Sequence, residues 1–445
     1  MLTLKQADRL AVQFKEKLQD ISTDALARQS RFVRRKPRKI TPLNFLIGFF
    51  MVVLTGANAL TALATTIGLL CGCRVSKQAV DKRIKAPALK FLELVLAATL
   101  SATAKGKNAP VYSVVFKAFK RVLVQDSTSV QLDAKLASYF PGSRNHKKSQ
   151  SAILKIQSVI DLVSERFCHF ATTAFTQNDQ KASPLILQLV QQGDLIIRDL
   201  GFWVLSVIEA IQLKGAYFLS RLKYGIVIYE ADGETLLDLL AALQKHGRLD
   251  VDVCVGAKNK LRMRLVAIQL PEAVAAERRR KAKANRDRRL NPSKEHLALL
   301  GWEIFITNVG REVLTAEQIT QLYDLRWRIE IVFKSWKSHF SLTNVPKASA
   351  IRVQSYIYAL LIFIALFQTY VYARLYREHH QKNSQQISLL KLARFFKEHI
   401  WAVILFFQTP EEMTSQKVLE QIFYHCIYES RKDRLNYTEK VAALG

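Results

Sequence analysis

One short stretch of this sequence contains four side chains that could bind metal, move protons or hold anions. The run YDLRWRIEIVFKSWK contains, at offsets of 0, 3, 7 and 14 residues, Tyr323, Arg326, Glu330 and Lys337. On an α-helix these offsets fall within an arc of about 60°. We therefore predict one long helix, from about Thr315 to Lys337, with a phenol, a guanidinium, a carboxylate and an ammonium group along one stripe.

The stripe could instead be a solvated helix face, because Arg326 and Glu330 stand four residues apart and such pairs form surface salt bridges. Large apolar residues surround it, however, and these are Trp327, Ile329, Val332, Phe333 and Trp336. We interpret the face as the lining of a pocket or groove.

Two further carboxylates stand where predicted strands end. Asp126 closes the strand RVLVQD, and Asp199 closes the strand LIIRD. In open α/β sheets, functional groups gather at the carboxyl ends of strands. Each Asp alone could also be a turn-forming or helix-capping residue. With Glu330 they would form a site of oxygen ligands only, which suits Mg²⁺ or Mn²⁺ and disfavours Zn²⁺.

The charge of the chain indicates what such a site would act on. The 445 residues include 66 Lys and Arg against 37 Asp and Glu, a formal charge of +29. This excess needs a polyanionic partner, and DNA, RNA and an anionic membrane are the candidates. Two divalent ions about 3.5–4 Å apart can clamp the attacking and leaving oxygens of a phosphoryl displacement. A phosphodiester backbone therefore fits both the charge and the predicted site.

Two uncharged stretches raise the question of a membrane. Thr41–Cys73 and Val353–Ala373 contain no charged residue, and both exceed the roughly 20 residues that span a bilayer. Polar residues divide the first stretch into two shorter runs and interrupt the second. We interpret both as buried helices and predict no membrane partner, with a basic membrane protein as the alternative.

The elements predicted around these residues indicate an α/β core. Residues 1–110 are predicted to be helical. Strands separated by helices follow, and the hydrophobic content of 49% is enough for a buried core. The predicted strands are Arg121–Asp126, Ala152–Leu162, Phe167–Thr176, Leu195–Asp199, Ala216–Leu222, Val251–Val255, Arg262–Leu270 and Ile304–Thr307.

Two basic segments could contact a nucleic-acid backbone. The first is Arg28–Lys39, and the second is Arg278–Arg289, which has eight basic residues in twelve positions, opposed only by Asp287. Such contacts give affinity that depends on salt and not on base sequence. A solvated run that never touches DNA is the alternative for Arg278–Arg289.

The segment Val75–Arg83 resembles the second helix of a helix-turn-helix, with Ser76 as its N-cap. We predict that Ala79, Val80 and Ile84 face inward. The residues predicted to face outward, where they could read an end of DNA, are Lys77, Gln78, Lys82 and Arg83. An ordinary surface helix is an equal alternative.

The pattern Tyr323-x2-Arg326-x3-Glu330-x6-Lys337 resembles the signature of the DDE transposases of the insertion-sequence-four family, which are relatives of the transposon-five transposase. The order of the two Asp residues also resembles that family, since Asp126 precedes Ser-Thr and Asp199 precedes Leu-Gly-Phe. The segments Phe140-Pro-Gly and Ile306-Thr-Asn resemble connecting segments of the family, and the resemblance spans nearly the whole chain.

The resemblance implies a fold and a chemistry. The fold class is α/β, an RNase H-like mixed sheet with a β-rich insertion, flanked by N-terminal and C-terminal helical regions. Asp126, Asp199 and Glu330 would be the catalytic ligands of two Mg²⁺ or Mn²⁺ ions. The side chains that would hold DNA phosphates near the scissile bond are Tyr323, Arg326 and Lys337. The enzyme would cleave the ends of its element and transfer them to target DNA.

The resemblance also implies an organisation and partners. The regions are 1–110 for DNA-end binding, 111–240 and 301–373 for the catalytic core, 241–300 for the basic insertion and 374–445 for the C-terminal helices. The partners would be double-stranded DNA, as terminal inverted repeats and target, and a second copy of the chain. We expect a cytoplasmic, nucleoid-associated protein. A catalytically inactive or repurposed DNA-binding relative is the alternative.

Trp302 is one position away from where relatives that form hairpin ends carry a Trp that stacks on a flipped base. We interpret Trp302 as a core residue and keep base stacking as the alternative.

Overall fold

The computed structural model describes residues 24–35, 39–104, 114–144, 150–284, 291–377, 386–400, 413–429 and 437–442, together with residues 16, 18 and 21. The chain folds as two compact units. Unit 1 comprises Met1–Ala109, Ser127–Gln177 and Arg328–Asn436, and unit 2 comprises Pro110–Asp126, Asn178–Trp327 and Tyr437–Gly445. Most of residues 1–23, at the start of the region predicted to be helical, lie outside the described residues.

The helices connect and cover the strands. In chain order they are α1 (Asp24–Gln29), α2 (Pro42–Thr55), α3 (Leu60–Cys71), α4 (Lys77–Arg83), α5 (Ala86–Ala104), α6 (Val114–Lys117), α7 (Asp179–Ala182), α8 (Leu205–Leu213), α9 (Leu239–His246), α10 (Glu272–Lys283), α11 (Lys294–Leu299), α12 (Ala316–Asp324), α13 (Trp327–Ser338), α14 (Ala350–Leu366), α15 (Leu389–Glu398), α16 (Met413–His425) and α17 (Tyr437–Ala442).

Ten strands are found among the described residues. They are β1 (Val122–Leu132), β2 (Pro141–Arg144), β3 (Gln150–Asp161), β4 (Arg166–Ala174), β5 (Leu195–Arg198), β6 (Tyr217–Arg221), β7 (Ile228–Tyr229), β8 (Arg248–Val255), β9 (Leu261–Gln269) and β10 (Trp302–Thr307). Each of the eight strands predicted from the sequence is present, with shifted ends.

Among its described residues, the sheet of unit 2 has seven strands in the order β1–β5–β6–β10–β9–β8–β7. Only the first half of β1, up to Asp126, belongs to this unit. β1, β5 and β6 pair in parallel, whereas β10, β9 and β8 run antiparallel to their neighbours. All four residues of β5 are buried, as expected for a parallel strand covered on both faces. The antiparallel strands β8 and β9 lie in the region predicted as a β-rich insertion.

Unit 1 contains the second half of β1, which lies beside β3, and β3 pairs antiparallel with β2 and β4. Helices α5 and α14 pack against each other and against β4. The mixed sheet with flanking helices confirms the predicted α/β class. The parallel order β1–β5–β6 and the antiparallel β3–β4 pair agree with the RNase H-like mixed sheet that the resemblance implies.

The two uncharged stretches form separate helices, as predicted. Thr41–Cys73 becomes α2 and α3, and α2 ends at Gly56, which has the left-handed φ of +72°. Among the described residues two helices are long and apolar enough to cross a membrane: Ala86–Thr103, which is 39% buried, and Ala350–Arg377, which is 78% buried inside the protein. The burial of the second confirms the interpretation of Val353–Ala373 as a core helix.

The prediction of one long helix from Thr315 to Lys337 is wrong. α12 begins after Thr315, whose side chain forms a capping box with Gln318, and it ends at Asp324. The N–H groups of Leu325 and Arg326 then bond to carbonyls three residues back, at 3.1 and 3.0 Å. This tighter turn separates α12 from α13. The four side chains of the pattern therefore do not share one continuous helical stripe.

The prediction that Asp126 closes a strand is also wrong. β1 continues through Asp126 to Leu132. The parallel ladder with β5, however, has its last pair at Gln125 and Arg198. Asp126 therefore follows the end of a parallel ladder, although it lies within a longer strand.

Candidate active site

Asp126 and Asp199 lie side by side in unit 2. They directly follow Gln125 and Arg198, the last pair of the parallel β1–β5 ladder, and neighbouring strands are about 4.8 Å apart. Both Asp residues are half-buried, whereas Gln125 and Arg198 are buried. Because side chains alternate along a strand, the two carboxylates share one face of the sheet and the two buried polar groups share the other.

Asp199 also caps the turn that follows β5. Its backbone is extended, and its side chain accepts a hydrogen bond from the N–H of Gly201 in the 3-10 turn Leu200–Phe202. A Cβ at Gly201 would lie 3.2 Å from an oxygen of Asp179, so a larger residue would crowd this turn. The capping interpretation and the strand-end interpretation of Asp199 are therefore both correct.

Tyr323 lies among cationic groups in unit 2. Its side chain is 1% exposed, and the guanidinium groups of Arg221 and Arg326 stack on its ring at 5.3 and 5.8 Å from the centroid. Burial raises the pKa of the Tyr323 hydroxyl to about 12, partly offset by the two guanidinium groups. The phenol therefore stays protonated at working pH and can donate a hydrogen bond.

Arg326 links the turn between the helices to the first Asp. Its Nη1 lies 3.4 Å from Oδ2 of Asp126, and the Arg326 side chain is 9% exposed. The guanidinium group also stacks on the ring of Trp327, 5.4 Å from the centroid, and Trp327 is 47% exposed. Arg326 thus stands beside a candidate metal ligand and next to an aromatic ring that faces solvent.

Arg221 was missed from the sequence. It is the last residue of β6, one step beyond the pair that Ser220 forms with Arg198. It therefore follows the same parallel ladder that Asp199 follows. Its Nη2 donates to Glu303 Oε1 at 3.2 Å. The strand-end rule that identified Asp199 could have identified Arg221, because the strand Ala216–Leu222 was predicted.

Glu330 and Lys337 lie on α13 in unit 1. Glu330 is half-buried in the first turn, whereas Lys337 is exposed in the last turn. The buried face of α13 includes Ile329, Val332 and Trp336. Over the whole described part of the chain, no three or more His, Cys, Asp or Glu side chains are grouped so as to hold a metal ion. The three-carboxylate site therefore remains a prediction.

The donor chemistry of unit 2 fits the metal that the sequence predicts. Asp126 and Asp199 supply hard oxygen ligands on adjacent strands, which Mg²⁺ and Mn²⁺ prefer. The cysteines, which would favour softer metals, lie at other positions along the chain, namely Cys71, Cys73, Cys168, Cys254 and Cys426.

A basic cleft of about 1530 Å³ lies within the N-terminal part of unit 1. No acidic side chain is found among the described residues that line it, whereas its cationic residues are Arg34, Arg35, Lys39, Arg74 and Arg83. A cleft of one charge sign raises the local potential and attracts anions. We name it the N-terminal basic cleft.

The predicted helix-turn-helix element is present as α4, and Ser76 caps it by accepting from the N–H of Ala79. Val80 and Ile84 are buried as predicted, but Ala79 is exposed. The inward prediction for Ala79 is wrong because the seven-residue helix buries only one narrow stripe. The candidate base readers are exposed except for Arg83, which is half-buried; they are Lys77, Gln78, Lys82 and Arg83.

The second basic segment is partly neutralised within unit 2. Residues 278–284 lie in or directly after α10, where Arg278 pairs with Glu303, Arg279 pairs with Glu272 and Arg280 pairs with Glu277. Residues 285–289 lie outside the described residues. In the described part of Arg278–Arg289, the three arginines are therefore paired within unit 2, and fewer cations remain to bind an external anion than the composition indicates.

Trp302 begins β10 and is half-buried. Its indole N–H donates to the carbonyl of Gly247 at 3.3 Å, which supports the structural interpretation. It also lines a cavity of about 680 Å³ in unit 2 with Tyr224 and His296, whose rings stack 4.3 Å apart. Base stacking by Trp302 remains an untested prediction.

Comparison with known proteins adds independent findings. Residues 117–367 match the family model described as "Transposase DDE domain". The chain is 28% identical over 425 residues to the transposase for insertion sequence element IS231B of Bacillus thuringiensis subsp. berliner, covering 90% of this chain and 87% of the relative. It is 25% identical over 392 residues to the transposase for IS1151 of Clostridium perfringens, covering 83% and 81%.

Among solved structures, a piggyBac transposase synaptic complex with hairpin DNA is similar with a TM-score of 0.43 and 10% identity, covering 100% of this chain and 85% of that chain.

Proposed function

This chain belongs to the transposase DDE domain family, and from that premise we propose that it cuts DNA at the ends of its own element and joins those ends to target DNA. The observation that carries the proposal is the placement of Asp126 and Asp199 side by side at the end of one parallel ladder, with Arg326 3.4 Å from Asp126. Glu330, in the first turn of α13, would supply the third carboxylate.

The residues have distinct proposed roles. Asp126, Asp199 and Glu330 would hold two Mg²⁺ or Mn²⁺ ions, which, when bound, activate a water or a DNA 3′-hydroxyl and stabilise the leaving oxygen. Arg326 would hold a DNA phosphate bidentately, whereas Lys337 would act as an exposed point charge. Tyr323 would donate a hydrogen bond to a phosphate oxygen. Arg221, beside Tyr323, joins this set as an additional phosphate ligand.

We propose further that the N-terminal region reads the terminal inverted repeats. The N-terminal basic cleft supports this, because five cations and no acid are found among its described lining residues, and cations that neutralise phosphates supply much of the affinity for DNA. The base readers would come from the exposed side chains of α4. Two copies of the chain would hold two DNA ends, and the protein would work in the cytoplasm on the nucleoid. The five-region division of the chain remains part of this proposal.

The test is cleavage of a DNA duplex that carries the element's end, with Mg²⁺ or Mn²⁺. Asp126→Asn, Asp199→Asn and Glu330→Gln each keep the shape of the side chain and remove its charge. We expect each variant to lose cleavage and strand transfer to background while it binds the DNA end as the wild type does. Asp252→Asn is the matched control, because Asp252 is an exposed carboxylate of unit 2 on β8, and we expect full activity.

The outcomes separate the alternatives. Cleavage by any of the three acid variants would remove that residue from the proposed site. Loss of DNA binding with loss of cleavage would indicate a structural role. A wild-type protein that binds DNA ends with neither metal-dependent cleavage nor strand transfer would be the catalytically inactive relative.

A further inference from the structure

Four buried polar side chains form a cluster behind α13 in unit 1. Arg328 donates to the Glu165 carboxylate through Nε and through Nη2, both at 3.0 Å. The same Nη2 donates to the Tyr372 hydroxyl at 2.7 Å, and Nε2 of Gln368 donates to Glu165 at 2.9 Å. We name these four residues the buried ion-pair cluster.

The cluster is removed from water. The Arg328 and Glu165 side chains are 5% and 4% exposed. Burial raises the pKa of the Tyr372 hydroxyl, so that this partner stays neutral. Moving two charges out of water is costly, and apolar side chains of the same volume often stabilise a core as well or better. A bidentate ion pair, however, fixes distance and angle more tightly than apolar packing does.

The cluster joins three separate segments of unit 1. Glu165 lies in the turn between β3 and β4 with φ +55°, a conformation that residues other than glycine rarely adopt. Asp161 holds this turn, because it accepts from the N–H of Val163 at 3.1 Å and from Oγ of Ser164 at 2.6 Å.

The third segment is the π-helical stretch Phe367–Tyr372, which follows α14 directly and supplies both Gln368 and Tyr372. Arg328 itself lies at the start of α13. π-helical turns are rare and often stand at functional sites.

Arg328 stands two residues before Glu330 on α13. Two residues correspond to about 200° of rotation, so the two side chains leave the helix on opposite faces. Anchoring Arg328 at the back therefore sets the direction of Glu330 at the front.

We propose that the buried ion-pair cluster is a positioning device, in which Arg328 and Glu165 fix the rotation and axial position of α13 and thereby aim Glu330 at the metal. This inference rests on the proposed role of Glu330 as a metal ligand. Arg328 and Glu165 are positioning residues, because neither contacts the reacting atoms.

The experiment removes both charges together, in the full-length double variant Arg328→Met/Glu165→Gln, so that neither charge is left buried alone. Arg328→Lys keeps the charge and removes the fork. The matched control is Arg264→Met/Asp250→Asn in unit 2, because Arg264 also binds its carboxylate through two nitrogens, both at 2.8 Å. The readouts are thermal unfolding, hydrogen exchange across residues 327–338, and the Mn²⁺ concentration for half-maximal cleavage of a DNA end.

We expect the Arg328/Glu165 double variant to fold and to bind the DNA end as the wild type does. Hydrogen exchange across α13 rises, and the half-saturating Mn²⁺ concentration rises about 10-fold, as is typical when a residue that orients a metal ligand is lost. Arg328→Lys falls between this variant and the wild type. The control double variant loses thermal stability but keeps wild-type exchange in α13 and wild-type Mn²⁺ dependence.

One result would overturn the inference. In it, Arg328→Lys and the double variant lose thermal stability but keep the hydrogen exchange of α13 and the Mn²⁺ dependence of cleavage that the wild type has. Glu330→Gln, measured beside them, separates this failure from that of the proposed function. An inactive Glu330→Gln with a wild-type-like double variant overturns the inference alone. A fully active Glu330→Gln overturns the proposed site, and the positioning role with it.

Discussion

Arg326 has two candidate anionic partners, the Asp126 carboxylate and a DNA phosphate. In the DNA-free structure its Nη1 lies 3.4 Å from Oδ2 of Asp126, whereas the proposed function assigns it to a DNA phosphate. A guanidinium group beside a carboxylate repels a metal cation. Under the proposed function, the Arg326–Asp126 pair would therefore oppose metal binding at Asp126 until a DNA phosphate draws Arg326 away.

The first prediction follows from this pair. Arg326→Gln removes the cation beside Asp126, so we expect Mn²⁺ to bind more tightly in the absence of DNA, by roughly 3-fold to 10-fold for a change of about 1 kcal/mol. Titration calorimetry with Mn²⁺ measures it. Arg311→Gln is the matched control, since it removes an equal charge that pairs with Asp252 on the exposed side of β8. An unchanged or weaker affinity in Arg326→Gln would contradict the account.

The second prediction concerns Tyr323, whose pKa burial raises from 10.0 to about 12. A raised pKa in the folded state means that this group favours folding below pH 10, and that the contribution is lost as the pH rises from about 10 to 12. Tyr323→Phe should therefore flatten the fall in stability over this alkaline range, and the pH profile of cleavage below pH 9 should keep its shape. Urea denaturation at several pH values measures the first effect. If the cleavage rate of the wild type changed with pH below pH 9 and Tyr323→Phe abolished that change, the prediction would be contradicted.

At the scale of elements, the sequence predicted the sheet better than the helices. Alternation and apolar runs marked β3, β5, β8 and β9 because those strands keep one pattern over their whole length. The break between α12 and α13 left no such mark, since neither Gly nor Pro stands at Leu325 or Arg326 and the residues around it are ordinary helix formers. The hydrogen bonds from the N–H groups of Leu325 and Arg326 to carbonyls three residues back, which mark the break, can be seen only in the folded chain.

The third prediction concerns Arg198, which lies on β5 directly before Asp199 and on the opposite face of the sheet. Arg198 is 3% exposed, and its Nη2 donates to Ser183, whereas its Nε and Nη1 have no hydrogen-bond partner among the described residues. Burial lowers its pKa to about 9. A buried cation with unmet donors costs free energy.

We therefore expect Arg198→Met to leave the free energy of unfolding unchanged or to raise it by about 1 kcal/mol. Arg264→Met is the control, because the Arg264 guanidinium bonds to Asp250 and to the carbonyls of Val309 and Leu314, and its loss should destabilise the protein. Urea denaturation compares the two variants. A large loss of stability in Arg198→Met, equal to that of Arg264→Met, would show that Arg198 is fully paired.

At the scale of the whole molecule, the basic segments that contribute to the charge of +29 differ in how many of their cations pair with acidic residues. Part of the Arg278–Arg289 segment pairs with acidic residues of unit 2, whereas the N-terminal basic cleft carries five cations without an acid in its described lining. Composition predicted a polyanionic partner but could not show which basic segment keeps its charge free, because ion pairs depend on the folded neighbours.

The fourth prediction separates the two basic segments. Replacing Arg35 and Arg74 of the cleft by Gln should weaken DNA binding and make the slope of log affinity against log salt shallower by about 0.9 for each lost phosphate contact. Arg279 and Arg280 of α10, replaced in the same way, serve as the control and should leave the slope nearly unchanged. Fluorescence anisotropy at several salt concentrations measures both. Equal slopes in the two double variants would contradict a phosphate-binding role for the cleft.

The candidate site was predicted in part. The places of Asp199 after a strand and of Tyr323 on a helix follow from the sequence, whereas the catalytic roles of the three acids stay predictions. The place of Asp126 within a longer strand and the contribution of Arg221 required the ladder of paired strands, since pairing joins residues far apart in sequence. Glu330 belongs to a helix whose orientation depends on Arg328 and Glu165, which no local pattern reveals.

The most direct test of the central claim is anomalous diffraction at the manganese edge from crystals of the protein bound to a DNA end and Mn²⁺. The account predicts two manganese peaks about 3.5–4 Å apart, with carboxylate oxygens of Asp126, Asp199 and Glu330 as their protein ligands. A single peak, or peaks ligated by other residues while the DNA end is in place, would contradict it.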